Sequence, residues 1–427
     1  MEHHCRNIGP MIVAVEMGYG HLRPAYALAE LFGTEVVRMD IPPMAGPVES
    51  CLWKTARTLY HGLSRACDWP ATGNAARLLL ENITEIAPLK NHSSRQAANL
   101  ASYLADGLAA TFMGRRFRSM ASGAGSSIVA TYPVAALAAR RARCTRVFCL
   151  ATDTDLNRAW APPDAERAEI EYLAPVEQVA KRLRSFGVPD QRIHLTGFPL
   201  PTNLVGQAMP SLARRLRRLD PNSIFRNQTH QGINEFYNLP EVHFSMQPVS
   251  MTVAIGGAGA QTGQVGQVLI SLKRLVLEGR LNLTLVAGIR PDVAAILRQK
   301  VQSAGLASCM DKEIKILLAK NLNDYFRLFN ACLVDTDVLW TKPSELVFYA
   351  ALGLPILLAA PVGGQEHANR NWLLSKNAAL DACDPTTLDR RFENWLASGD
   401  LCRIAWNGYS NFERNGADRI LSIIENE

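Results

Sequence analysis

The chain has 427 residues and a mass of 46.9 kDa, too much for one compact core of ordinary size, so its length predicts two domains. Apolar residues make up 48% and charged residues 20%, which excludes a largely disordered chain. The net charge of +6 hides an asymmetry: residues 51–150 hold 13 Lys and Arg against 4 Asp and Glu, and the rest of the chain holds 32 against 35.

The residues before Met11 are polar, without the basic start and apolar stretch of a signal peptide. The longest apolar runs, such as 354–360, fall far short of the ~20 residues a membrane span needs. The expectation is a soluble, cytoplasmic protein. Nine cysteines lie between Cys5 and Cys402 with no C-x-x-C pair, and they read as reduced, mostly buried thiols.

In chain order, the apolar run 11–15 predicts a buried strand, closed by Gly18 and Gly20. A helix follows, with Leu22, Ala25, Tyr26, Ala29 and Phe32 on one face and Pro24 in its first turn. Further strands are expected at 35–38, 127–131 and 147–152, with helices between them. The stretch 206–250 is polar and aperiodic, apart from a short basic amphipathic segment at 212–219. It reads as a linker plus insertion. The pattern then restarts: a strand at 251–255, a Gly256-Gly-Ala-Gly259 turn, and a helix with Val265, Val268, Leu269, Leu272 and Val276 on one face. Strands are also expected at 283–287, 332–334 and 356–359. Strands alternating with helices imply parallel sheets covered on both faces. The reading is α/β, with two Rossmann-like domains facing each other across a cleft. Residues 1–205 form the first and 251–400 the second, joined by 206–250. A C-terminal helix within 401–427 packs back toward the first domain.

Each half thus carries a glycine-rich turn between its first strand and first helix, where a ligand can approach the main chain and the helix start favours an anion. Neither is a full G-x-G-x-x-G or a P-loop, and each by itself is also what a plain tight turn looks like. His21 follows the first turn at the carboxyl edge of a strand, where open α/β sheets bind ligands. It is a candidate general base, the alternative being a structural or helix-capping histidine.

The segment Gly18-Tyr-Gly-His-Leu-Arg-Pro-Ala-Tyr-Ala-Leu-Ala-Glu-Leu31 resembles the opening loop and helix of GT-B-fold glycosyltransferases. The group in question holds the monogalactosyldiacylglycerol synthases, the diacylglycerol glucosyltransferases and the peptidoglycan lipid-intermediate N-acetylglucosaminyltransferase, and is family 28-like. Ala151-Thr-Asp-Thr-Asp-Leu-Asn-Arg-Ala-Trp160 resembles its threonine–aspartate…tryptophan segment. Tyr172-Leu-Ala-Pro and the run 188–199 resemble its last N-domain strands. Gly353-Leu-Pro-Ile-Leu-Leu with Pro361-Val-Gly-Gly-Gln-Glu-His-Ala-Asn369 resembles its donor-sugar loop. The matches run in family order from about 11 to 375, except at 206–250.

The resemblance implies an inverting, metal-independent transferase that moves a sugar from a nucleotide diphosphate sugar, UDP-linked, to a hydroxyl acceptor. No cofactor or metal is needed, because loop amides and a helix dipole stabilise the departing diphosphate. His21 is the expected base and Asp153 its rival. Gly18, Gly20, Asp155 and Trp160 lie on the acceptor side; Asp153 and Asp155 are two apart, but a metal-binding D-x-D belongs to the GT-A fold. Gly257, Ala258 and Gly259 are expected to face the diphosphate, with Lys342 adding charge. Gln365, Glu366 and Asn369 are expected to read sugar hydroxyls. The family's ribose-binding glutamate is replaced by Phe348. Glu345, three residues earlier on a similar face, is the candidate substitute, and Phe348 also reads as plain core.

The related enzymes act on lipids, and the basic stretch 51–150 suits an anionic membrane surface, with apolar contacts from 51–60 and 76–80. Arg214–Arg218 either joins that patch or is solvated. Nucleic acid is not an expected partner, because the aromatic interleaving of single-strand platforms is missing. The alternatives are a UDP-sugar 2-epimerase or hydrolase of the same fold, with extra carboxylates at the sugar, and a non-catalytic nucleotide-sugar-binding or membrane-scaffold protein.

Overall fold

Short apolar runs bounded by turns build two all-parallel sheets in the computed structural model, which describes residues 9–66, 85–89, 95–122, 127–228, 233–237, 248–256 and 262–426. The first sheet comprises β1 (Met11–Ala14), β2 (Val36–Arg38), β3 (Ile128–Ala130), β4 (Val147–Leu150), β5 (Glu171–Ala174) and β6 (Ile193–Leu195), in the spatial order β2-β1-β3-β4-β5-β6. The second comprises β7 (Val249–Ala254), β8 (Leu281–Gly288), β9 (Ile314–Leu318), β10 (Val338–Thr341), β11 (Ile356–Leu358) and β12 (Ala379–Asp381), in the order β12-β11-β10-β7-β8-β9. Central strands are buried on both faces, as continuous apolar runs in a helix-covered parallel sheet must be: Ile128, Val129 and Ala130 of β3 and all of β10 are enclosed.

Two compact units result. One gathers the described residues among 1–60, 82–201 and 415–427, the other those among 61–81 and 202–414. The expected C-terminal helix is two helices. Asp400–Asn411 belongs to the second unit. Gly416–Asn426 belongs to the first, where it packs on Tyr19–Phe32 and its Ile424 carbonyl accepts from Arg146 at 3.5 Å.

Three expectations are corrected. The apolar trio 332–334 is not a strand but the end of the Leu322–Asp335 helix. Tyr325, Phe326, Phe329 and Leu333 form that helix's buried face, and the strand comes four residues later as β10. The first helix starts at Tyr19, so Pro24 lies in its second turn. The stretch 206–250 is more than a linker plus insertion, because Ala208–Arg218 is a helix in the second unit's core.

That helix also removes Arg214–Arg218 from any solvated or membrane-facing patch. Leu212, Leu216 and Leu219 are fully buried, and Arg215 shares their face. Its guanidinium donates to four carbonyls: Leu333 at 3.0 Å, Thr336 at 2.9 Å, Leu352 at 2.9 Å and Gly353 at 3.1 Å. They lie at the ends of two helical segments, where a cation is favoured by the dipole, and the Leu333 carbonyl also accepts from the Thr336 amide at 3.3 Å. Burial lowers the Arg215 pKa to about 9, so it is still charged at neutral pH. Beside it, Arg218 pairs at 2.9 Å with Asp337, which is wholly buried and also accepts from the Ser250 amide at 2.9 Å. Gly353 takes φ +63 and packs so close that a Cβ there would lie 2.7 Å from Leu212 Cδ1.

Replacing Arg215 with Met takes the guanidinium donor away from all four carbonyls. The expected loss is about 3 kcal/mol or more of unfolding free energy, read as a lower urea midpoint.

Candidate functional site

In open α/β sheets a crevice forms at the carboxyl edge where the strand order reverses. In the first sheet that point lies between β1 and β3. In the second it lies between β7 and β10. Some of the expected site residues lie at these two places.

At the first, His21 stands in the opening turn of the helix after β1, beside Thr131, which follows β3. His21 Nδ1 lies 2.9 Å from the Thr131 carbonyl and 3.2 Å from Thr152 Oγ1. A carbonyl can only accept, so Nδ1 carries a proton, and in the neutral imidazole Nε2 is then the acceptor. Thr131 closes the clasp from its other end, its hydroxyl donating to the His21 carbonyl at 2.7 Å. Tyr132 meets the imidazole edge-on at 4.9 Å, and the buried Trp160 ring lies 6.1 Å away. Gly18, with φ +143, makes the turn that starts this helix; Gly20 lies inside its first turn. Asp153 is half-buried one residue after Thr152.

Asp155 is removed from the acceptor side. Its carboxylate is held by Arg182 at 2.7 and 2.8 Å, by Gln178 at 3.0 Å and by the Leu156 amide at 2.8 Å. This buried fork fastens the loop after β4 to the Glu177–Ser185 helix.

At the second edge, Lys342 directly follows β10 and lies beside Gly256, which follows β7 with φ +74. A Cβ on Gly256 would sit 2.8 Å from the flexible Lys342 Cε, and the φ of +74 favours glycine at the turn that the lysine crosses. Lys342 Nζ reaches Glu366 Oε1 at 2.6 Å, and Glu366 Oε2 accepts from the Val362 amide at 2.8 Å. Glu366 and the half-buried Gln365 stand in the first turn of the Gly364–Ser375 helix, where a negative charge is favoured. Asn369 differs from its expected role. It is fully buried and its amide donates to the Pro343 carbonyl at 3.2 Å, so it braces the segment after β10. Gly257, Ala258 and Gly259 lie outside the described residues.

Phe348 is core. It packs on Trp372 at 5.5 Å, which in turn stacks on Phe412 at 4.9 Å. Glu345 is buried and opens the 3-10 helix Glu345–Leu352. In a 3-10 helix residues three apart eclipse, so Glu345 stands one turn from Phe348 on the same face.

The basic stretch is partly neutralised by acids outside it. Arg57 pairs with Glu16, Arg95 with Glu166, Arg140 with Asp164 and Arg146 with Glu171. Arg141 pairs with Asp106, and Arg118 caps the Leu100–Ala110 helix at the Ala110 carbonyl. Lys54, Arg115, Arg116 and Arg143 are exposed. Apolar side chains are exposed nearby in the chain: Val48, Leu52 and Leu59 on one face of Pro47–Ala66, and Leu100, Tyr103, Leu104 and Leu108 on one face of Leu100–Ala110. Residues 76–80 lie outside the described ones. Among the described residues no helix is long and apolar enough to cross a membrane, and no three His, Cys, Asp or Glu side chains gather at metal-binding distance.

Scanned against models of protein families, the chain matches none. It is similar to the processive diacylglycerol beta-glucosyltransferase of Bacillus subtilis (strain 168), 25% identical over 259 residues. That match covers 59% of this chain and 56% of the relative, just over half its length. Among solved structures it is similar to the UDP-GlcNAc 2-epimerase from Neisseria meningitidis bound to UDP-GlcNAc, with a TM-score of 0.50 and 11% identity over 98% of this chain and 100% of that one. MurG of Acinetobacter baumannii gives a TM-score of 0.48 and 15% identity, with 98% and 100% covered. The fold is GT-B. In this GT-B chain the carboxyl-edge turns of each Rossmann-like half hold the candidate residues.

Thr131 and Thr152 were not singled out from the sequence. Each ends a short β-rich run, which puts it on the sheet edge, but nothing in the run marks which histidine it holds. The Lys342–Glu366 pairing joins residues 24 apart and has no local signal.

Asp155→Ala leaves the Arg182 guanidinium buried without its partner. The expected result is a loss of about 3 kcal/mol in denaturant unfolding, far beyond a surface change.

Proposed function

We propose that the protein is an inverting, metal-independent glycosyltransferase needing no cofactor, which moves a sugar from a UDP-linked donor to a hydroxyl of a lipid. The single observation that carries the reading is the His21 clasp: the Thr131 carbonyl fixes the tautomer, leaving Nε2 as a proton acceptor at the strand-order reversal of the first sheet. The likeness to a processive diacylglycerol beta-glucosyltransferase supports the reaction class and the lipid acceptor.

The acceptor hydroxyl passes its proton to His21 Nε2 as its oxygen bonds the anomeric carbon from the face opposite the diphosphate. The bond between that carbon and the diphosphate oxygen breaks, and its electron pair leaves with the nucleotide. Lys342 and the turn that opens at Gly256 counter the charge that develops there. Glu366 and Gln365 read the sugar, and Glu345 holds the ribose. Asp153 is the alternative base.

Acceptor access is by peripheral binding at the inner face of the cell membrane. Support comes from the exposed apolar faces of Pro47–Ala66 and Leu100–Ala110 and from exposed Lys54, Arg115 and Arg116, each basic residue adding about 1 kcal/mol at an anionic surface.

Two experiments test this. With a panel of UDP-sugars and diacylglycerol in mixed micelles, His21→Ala is expected to lower kcat by roughly 100-fold or more while UDP still raises the melting temperature. Near-normal turnover removes His21 from the role. The wild-type protein is expected to co-sediment with vesicles containing anionic lipid. Replacing Leu104 and Leu108 together by Asp, or raising the salt, is expected to reduce the bound fraction several-fold.

A further inference from the structure

The two charged residues expected to touch different parts of a donor touch each other. Lys342 and Glu366 meet at 2.6 Å, with side chains only 23% and 11% exposed. The pair bridges three segments of the second sheet's carboxyl edge: the Gly256 turn that the lysine crosses, the residues after β10, and the helix after β11. The framework around it is braced. Thr341 donates to the Ala254 carbonyl at 3.0 Å, and Asn369 to the Pro343 carbonyl at 3.2 Å.

We propose that this ion pair makes the site discriminate a nucleotide diphosphate sugar from the bare nucleotide diphosphate, so that Glu366 recaptures Lys342 and expels the nucleotide once the sugar has gone. The inference rests on the donor reading above and deepens it. A diphosphate competes with Glu366 for the lysine. When it wins, Glu366 keeps the Val362 amide and the helix start but loses its cation. The hydroxyls of a donor sugar are hydrogen-bond donors and satisfy the freed carboxylate. A bare nucleotide diphosphate offers nothing in return, and its own charge is repelled by that carboxylate. Affinity for the product is therefore held below affinity for the donor.

The test is the Kd of UDP by isothermal titration calorimetry for the wild type, Glu366→Gln, Lys342→Met and the double variant. Glutamine keeps an acceptor for the Val362 amide while releasing the lysine. Glu366→Gln is expected to bind UDP roughly tenfold more tightly than the wild type, Lys342→Met more weakly. In the Lys342→Met background the Glu366→Gln change is expected to add less, because only the direct repulsion between the carboxylate and the diphosphate is then relieved. Should Glu366→Gln fail to fold, Glu366→Asp shortens the arm past contact and is read in the same way. If the wild type binds UDP and the Glu366 variants bind it no more tightly, the ion-pair inference is overturned and the donor reading stands. If neither the wild type nor any variant binds UDP, the donor reading fails and takes the inference with it.

Discussion

One buried guanidinium sets the geometry of the second unit. Arg215 reaches carbonyls at the end of Leu322–Asp335, at the end of Glu345–Leu352 and at Gly353. Between the first two of these points runs β10 with Lys342 after it, and beyond the third runs β11 with the Glu366 helix. The positions of both charged residues at the candidate donor edge thus depend on one side chain from a different helix. Removing a buried cation of this kind strands the carbonyls it satisfies. Its value here is that it fixes where three backbone segments end. The neighbouring Arg218–Asp337 pair ties the same helix to the start of β7 through the Ser250 amide.

The two sheets solve the same problem differently. Each reverses its strand order beside its first strand and places a glycine-containing turn there. In the first, the neighbour strand contributes a carbonyl that sets a histidine tautomer. In the second, it contributes a lysine held by a carboxylate. Neutral proton transfer suits the former arrangement and stabilisation of an anion suits the latter. That division of labour follows from which residue stands one or two places after a parallel strand.

Much of this was legible in the sequence. The opening strands and helices of both halves follow from apolar period and glycine turns, and Val265, Val268, Leu269, Leu272 and Val276 are buried as their spacing requires. His21 and Lys342 could be placed at the sheet edges because each follows a strand that the sequence or the resemblance locates. What was not legible depends on long-range pairing. The charge of Arg215 outweighed its helical register with Leu212 and Leu219, so a core residue was read as surface. The positive balance of 51–150 was counted along the chain, yet Glu16, Asp164, Glu166 and Glu171 cancel part of it across space. The motif put Asp155 on the acceptor side, and only the fold reveals Arg182 beside it.

The central claim is that a nucleotide diphosphate binds where β7 and β10 part. A crystal structure of the protein soaked with UDP tests it most directly. The account predicts the diphosphate against the Gly256 turn, with Lys342 Nζ moved from Glu366 onto a phosphate oxygen. Ordered UDP elsewhere on the protein, with the Lys342–Glu366 contact intact, would contradict it.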